Sequence, residues 1–279
     1  MSTLKEKLDR FYKEFDFQNR IQQDPIEIPH RFSRPEDIEI AAFIASSFAY
    51  GKVDLFRPVI ELILRPCGKH PAEFLANFSL KKDRKYFEGL YYRFNKEKDI
   101  LCFLYVINRG LRKYGSLKDL FYSHYRAGQD DIKSALQGFT GFLLNVDTSP
   151  VYGENISPYG LKQLLSSPRT GSACKRMNLF LRWVVRKKDI DFGIWDRIPP
   201  SKLIIPLDTH IARISRCLGL TERKSSDWKT AREITTSLQK LDPQDPLKYD
   251  FALCHQGISG LCRGENMPSV CGNCSFMSG

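Results

Sequence analysis

No run in this chain approaches the roughly 18 consecutive apolar residues that a membrane-crossing helix requires, so a transmembrane helix is excluded. The opening residues, MSTLKEKLDR, are charged and lack the apolar core of a signal peptide. Glycine and proline are sparse, 18 and 15 in 279 residues, which excludes collagen and low-complexity chains. Hydrophobic residues at 42% are too many for a disordered tail protein. Eight cysteines fall below the density of a secreted disulfide scaffold. A cytoplasmic protein with no membrane partner is expected. No segment alternates with period two for long enough to demand a sheet. One absence is local: no Asp or Glu occurs between Asn155 and Lys188.

What is present is helical. Three-to-four spacing of apolar residues predicts helices over Leu4 to about Gln18, Leu55–Leu64, Asp83–Tyr91, Glu97–Tyr114, Leu117–His124 and Asp130–Leu143. Ser33, Arg34, Pro35 and Glu36 fit a capping box with proline in the first turn, opening an apolar helix from Glu36 to Tyr50. Segment 144–159 reads as loop. Further helices are expected over Ser226–Leu241 and Leu247–Ile258. The fold class is all-α, with two helical lobes. The length of 279 residues agrees with about two domains.

The net charge is +11 and the pI about 9.2, which favours a polyanion without naming one. Eight basic residues fill the stretch without acids: Lys162, Arg169, Lys175, Arg176, Arg182, Arg186, Lys187 and Lys188. The order there is a short helix (Tyr159–Leu165), a turn (SSPRTGSA) and a helix from about Ala173 to Val185. Ser172 suits the N-cap. A turn containing Gly171 that opens onto a helix start presents unpaired N–H groups to a phosphate. An ordinary solvated hairpin has the same pattern. Lys175 falls in the first helical turn, where the dipole disfavours a cation. An amine so placed can serve as a nucleophile that forms a Schiff base, or simply touch phosphate.

Farther on, Leu203–Leu207 is apolar and leads to Asp208, Thr209, His210 and a short helix closed by Gly219. Asp208 suits an N-cap. Flanked by apolar residues, it can also act as a base or stabilise a developing cation. His210 has no second ligand at metal spacing. Four cysteines crowd the last 26 residues: Cys254, Cys262, Cys271 and Cys274. The final pair forms CGNC, and four thiolates can hold an iron–sulfur cluster or a zinc ion. Alternatively Cys254 points into a helical core and three remain, with His255 able to join a zinc site.

Together these features resemble the helix-hairpin-helix DNA glycosylase superfamily, which contains endonuclease III and the adenine and 8-oxoguanine glycosylases. More closely, the chain is similar to a divergent bacterial family of that superfamily. The superfamily's hairpin, LPGVGxKTAN, corresponds to Arg169 through Asn178. Gly171 matches the first hairpin glycine and Ala173 replaces the second. Lys175 falls on the Schiff-base lysine of the bifunctional enzymes. The PVDTHVxRV segment with its catalytic aspartate resembles Pro206 through Ile214. Phe48 stands where a glutamine of the superfamily inserts toward DNA. Cys262, Cys271 and Cys274 resemble three cluster ligands of endonuclease III, with Cys254 replacing the fourth. Lys175 and Asp208 are 33 residues apart, closer to an 8-oxoguanine glycosylase pattern than to endonuclease III.

The resemblance implies a helix-hairpin-helix glycosylase fold. Segments 1–54 and 203–279 would form one domain, with a cysteine-rich tail at 254–274. Segment 55–202 would form the other, with the hairpin at 159–187. It implies a monomeric, nucleoid-associated base-excision repair glycosylase with lyase activity, acting on duplex DNA that contains a damaged base. Lys175 and Asp208 would be catalytic. Arg169, Gly171, Ser172, Ala173, Arg176, Arg182, His210 and Arg213 would touch DNA. Cys254, Cys262, Cys271 and Cys274 would hold a four-iron four-sulfur cluster, or else zinc or nothing.

Overall fold

The computed structural model describes residues 3–156, 158–260 and 262. Among the described residues there are no strands, only the isolated bridges Tyr92–Asn95 and Ser172–Asp227. No helix among them is long and apolar enough to cross a membrane. The helices of nine or more residues are α1 (Leu4–Glu14), α2 (Pro35–Phe48), α3 (Val53–Leu64), α4 (Glu97–Tyr114), α5 (Lys133–Leu144), α6 (Lys175–Val185), α7 (Thr209–Cys217), α8 (Trp228–Gln239) and α9 (Asp250–Ile258). Shorter helices and 3-10 turns connect them.

Apolar spacing locates most of these elements, and caps decide where they stop. The helix expected from Leu4 to Gln18 ends at Glu14 instead. Asp16 then starts a second helix, Phe17–Ile21, by accepting the Asn19 N–H at 3.1 Å. At α2 the N-cap is Arg34 and no side chain caps it, although Pro35 occupies the first turn as expected. The helix expected over Asp83–Tyr91 does not form. Leu80–Asp83 is one turn, Arg84–Phe87 is a 3-10 turn, and Gly89 at φ +70° redirects the chain. Segment 144–159 is mostly loop but holds the turn Ser149–Tyr152.

α2 is the axis of the packing. Every residue from Asp37 to Phe48 is buried. It touches α3, α6, and the short helices Pro71–Ala76 and Leu117–Tyr122. Its alanines and serines let these neighbours approach closely, and Phe43 anchors the centre. The Phe43 ring stacks on Phe103 at 5.6 Å and meets Phe180 edge-on at 5.0 Å. α4 packs with α5 and the short helices on one side. On the other, α7 packs on α9, and Phe15 beyond the end of α1 meets Phe251 of α9 edge-on at 6.0 Å. Two helical groups thus share α2 and α6. Phe48 is fully buried, edge-on to Phe103 at 5.8 Å, so its ring belongs to the core and not to a DNA-facing surface.

A buried carboxylate joins α2 to its neighbours. Glu39 accepts the N–H groups of Leu117 at 2.8 Å and Lys118 at 3.0 Å, and the Trp195 indole N–H at 2.9 Å. It therefore caps the helix Leu117–Tyr122 from a distant segment. Burial pushes its carboxyl up to about 7, and the three donors only partly oppose that rise. Below the ordinary value of 4.5 the group is protonated whether folded or unfolded. Between 4.5 and about 7 the unfolded chain releases this proton first, so stability falls as pH rises. Glu39→Gln should flatten that part of the stability–pH profile, measured by denaturant unfolding. An unchanged slope would contradict this account of the cap.

Candidate functional site

Two helix starts face each other where the fold joins its two groups. The first belongs to the basic hairpin. The helix Tyr159–Leu164 leads into the 3-10 turn Pro168–Thr170, then Gly171 at φ +78°. No atom crowds the position of a Cβ on Gly171, so the glycine serves the left-handed turn and not close approach. The Trp228 N–H donates to the Gly171 carbonyl at 2.9 Å and pins the turn. Asn178 Nδ2 reaches back to the Ala173 carbonyl at 3.0 Å.

The helix begins two residues later than the sequence suggests. Cys174, at φ +50°, is the N-cap and caps nothing with its side chain. Ser172 Oγ instead accepts the Cys174 N–H at 3.1 Å, inside the turn. Lys175 is therefore the first helical residue, and the amides of this first turn have no intrahelical acceptor.

The second start belongs to α7. The apolar strip Leu203–Leu207 is buried and delivers Asp208 to the N-cap. Asp208 Oδ1 accepts the Ile211 N–H at 2.8 Å. Its other oxygen, Oδ2, lies 3.5 Å from Lys175 Nζ. The Asp208 side chain is 12% exposed and that of Lys175 is 37% exposed. The carboxylate is recessed, and the amine reaches from it toward solvent.

Not all the cations of the hairpin face outward. Arg182 is buried, paired with Asp250 at 2.6 Å and Asp191 at 3.2 Å. It is not available to DNA. Arg186 is buried against Asp191, Asp245 and Asp189. These carboxylates all come from outside the stretch that lacks acids. Arg176 turns inward too. It donates to the Ser47 carbonyl at 2.9 Å and to Gln163 O, and lies over the Tyr50 ring. Burial lowers its pKa to about 10. Ala173 is buried beneath the turn, and Ser172 is half-buried. Lys162, Arg169, Lys187 and Lys188 remain exposed, and so does Gly171.

The segment after Asp208 also differs from its expected role. Arg213 donates to the carbonyls of Cys262 at 2.7 Å and Gly257 at 3.3 Å, and so ties down the end of α9. The His210 side chain packs on Gly257, where an added Cβ would come within 2.7 Å of the His210 Cβ and 3.1 Å of its ring. Among the described residues its buried Nδ1 has no hydrogen-bond partner.

Of the tail cysteines, Cys254 and Cys262 lie among the described residues and Cys271 and Cys274 outside them. Cys262 is buried. Cys254 Sγ donates to Asp208 Oδ2 at 3.5 Å. Burial, with the carboxylates of Asp208 and Asp250, raises its pKa well above the ordinary thiol value. His255 is buried and its Nε2 is 3.2 Å from Asp24 Oδ2, an existing partner in place of a metal. Among the described residues no group of three or more His, Cys, Asp or Glu side chains could hold a metal ion.

The contact of Cys254 with Asp208, and Asp250 one turn before it on α9, are what sequence reasoning missed. The spacing of four between Asp250 and Cys254 puts both on one helix face. That is a weak signal until Arg182 is known to bind Asp250.

Asp208 has two jobs that substitution should separate. Asp208→Asn keeps an oxygen for the Ile211 N–H and should leave stability within about 0.5 kcal/mol. Asp208→Ala removes the cap and should cost about 1 kcal/mol. Urea unfolding of both variants checks this; equal losses would mean that the cap is not the carboxylate's structural role.

No curated protein and no solved structure matches the chain. Residues 24–259, from the loop before α2 to the last residues of α9, match a family described as "Protein of unknown function (DUF2400)". That span holds both helix starts, and the chain belongs to this family.

Proposed function

We propose that this protein is a DNA N-glycosylase with an accompanying lyase activity, built on a helix-hairpin-helix fold of the glycosylase type. The observation that carries the reading is the approach of Lys175 Nζ to Asp208 Oδ2, 3.5 Å apart, from two helix starts distant in sequence. An amine and a recessed carboxylate beside a glycine turn are the parts that such chemistry needs. The uncapped start of α6 and the exposed Lys162, Arg169, Lys187 and Lys188 support a role in holding DNA backbone.

In this reading a damaged nucleotide leaves the duplex and enters the site. The bond from C1′ to the base breaks, and its electron pair leaves with the base. Asp208 stabilises the positive charge that develops on the sugar. Lys175, as the free amine, forms a bond from Nζ to C1′. Its surplus proton passes by way of Asp208 to the departing base. Ring opening moves an electron pair onto the sugar O4′ and leaves a protonated imine at C1′. Loss of a proton from C2′ then expels the 3′ phosphate and breaks the strand. Water hydrolyses the imine and frees Lys175.

The buried Phe48 favours a second reading, a DNA-binding protein that keeps the fold without the reaction, since no side chain at that position enters the base stack.

The two separate on duplexes carrying 8-oxoguanine, uracil, oxidised pyrimidines or an abasic site. The protein should release free base from at least one of them. Lys175→Gln and Asp208→Asn should each slow release by about a hundredfold or more, with DNA affinity nearly unchanged. Arg169→Ala should weaken binding and lower its salt dependence by about one charge. Tight binding with no base released from any duplex would select the second reading. Full activity in either variant would overturn the assignment of Lys175 and Asp208.

A further inference from the structure

Cys254 follows Asp250 by one helical turn on α9, and Asp250 is fixed to Arg182 of α6 at 2.6 Å. The thiol is thereby held on the face of α9 that looks toward the starts of α6 and α7. Asp208 Oδ2 receives it at 3.5 Å, and the same oxygen faces Lys175 Nζ at 3.5 Å. The other oxygen is already taken by the Ile211 N–H. The thiol has one proton to donate, and Asp208 Oδ2 stands in front of it.

We infer that Cys254 is a positioning residue of the Lys175–Asp208 pair and not a ligand of the cysteine tail. Its S–H donates to Asp208 Oδ2 and keeps that oxygen turned toward Lys175. What the positioned carboxylate does rests on the glycosylase reading; the hydrogen bond does not.

The S–H stretch in the infrared tests this on the full-length protein. The spectrum of Cys254→Ser subtracted from that of the parent should show one S–H band lost. In Asp208→Asn the same band should move to higher frequency, because an amide accepts more weakly than a carboxylate. No band lost in Cys254→Ser would mean a deprotonated, ligated sulfur and would overturn the inference. A band that ignores Asp208→Asn would overturn it as well, since the thiol would then donate elsewhere.

A second measurement reads the consequence for the reaction. Cys254→Ala should slow base release about tenfold, and Cys254→Ser, which keeps a donor, should restore most of the rate. Equal losses in both would remove the positioning role. A parent that releases no base from any duplex would defeat the glycosylase reading, and the infrared bands would still decide the hydrogen bond.

Discussion

The geometry of the site depends on two buried arginines. Arg182 and Arg186 project from α6 into a cluster formed by Asp191, Asp245 and Asp250, with Asp189 at its edge. Five charged groups that are nearly inaccessible to water can coexist only when each is paired. Burial raises the carboxyls of Asp191 and Asp250, and the two guanidinium groups counter that rise. The cluster clamps α6 to α9 and to the loop after α6. Breaking such a pair typically costs about 3–5 kcal/mol, because the abandoned charge stays buried. With α6 fixed in this way, Lys175 at its start is held opposite Asp208 and Cys254.

The same clamp divides the basic residues by task. Arg176, Arg182 and Arg186 hold helices together. Arg169, Lys162, Lys187 and Lys188 stay exposed and give the hairpin its outward charge. The division explains how a chain of net charge +11 can bury guanidinium groups and still present a cationic turn. The amine and carboxylate sit at two helix starts, whereas Lys162 and Arg169 precede the turn that leads to one of them and Lys187 and Lys188 follow the far end of α6.

Much of the fold is legible in the sequence because helix period and caps are local properties. Glu97–Tyr114 forms as its apolar spacing predicts, and Gly115 ends it. Asp208 caps α7 as the Asp-Thr-His order suggests. The failures have a common cause, which is that the deciding partner is far away or unusual. Arg182 reads as a DNA contact because Asp250 is 68 residues distant. Glu39 caps a helix 78 residues away, beyond the reach of any local pattern. Ser172 looks like the N-cap because nothing in the sequence announces a cysteine in the left-handed region at 174. The contact of Cys254 with Asp208 is likewise invisible in the sequence, because 46 residues separate them.

The central claim is that Lys175 forms a covalent bond to the sugar. The most direct test incubates the protein with an abasic-site duplex, reduces the mixture with borohydride, digests it and maps the modified peptide by mass spectrometry. The account predicts a sugar remnant on Lys175 Nζ. A remnant on any other amine, or strand cleavage without a trapped adduct, would contradict it.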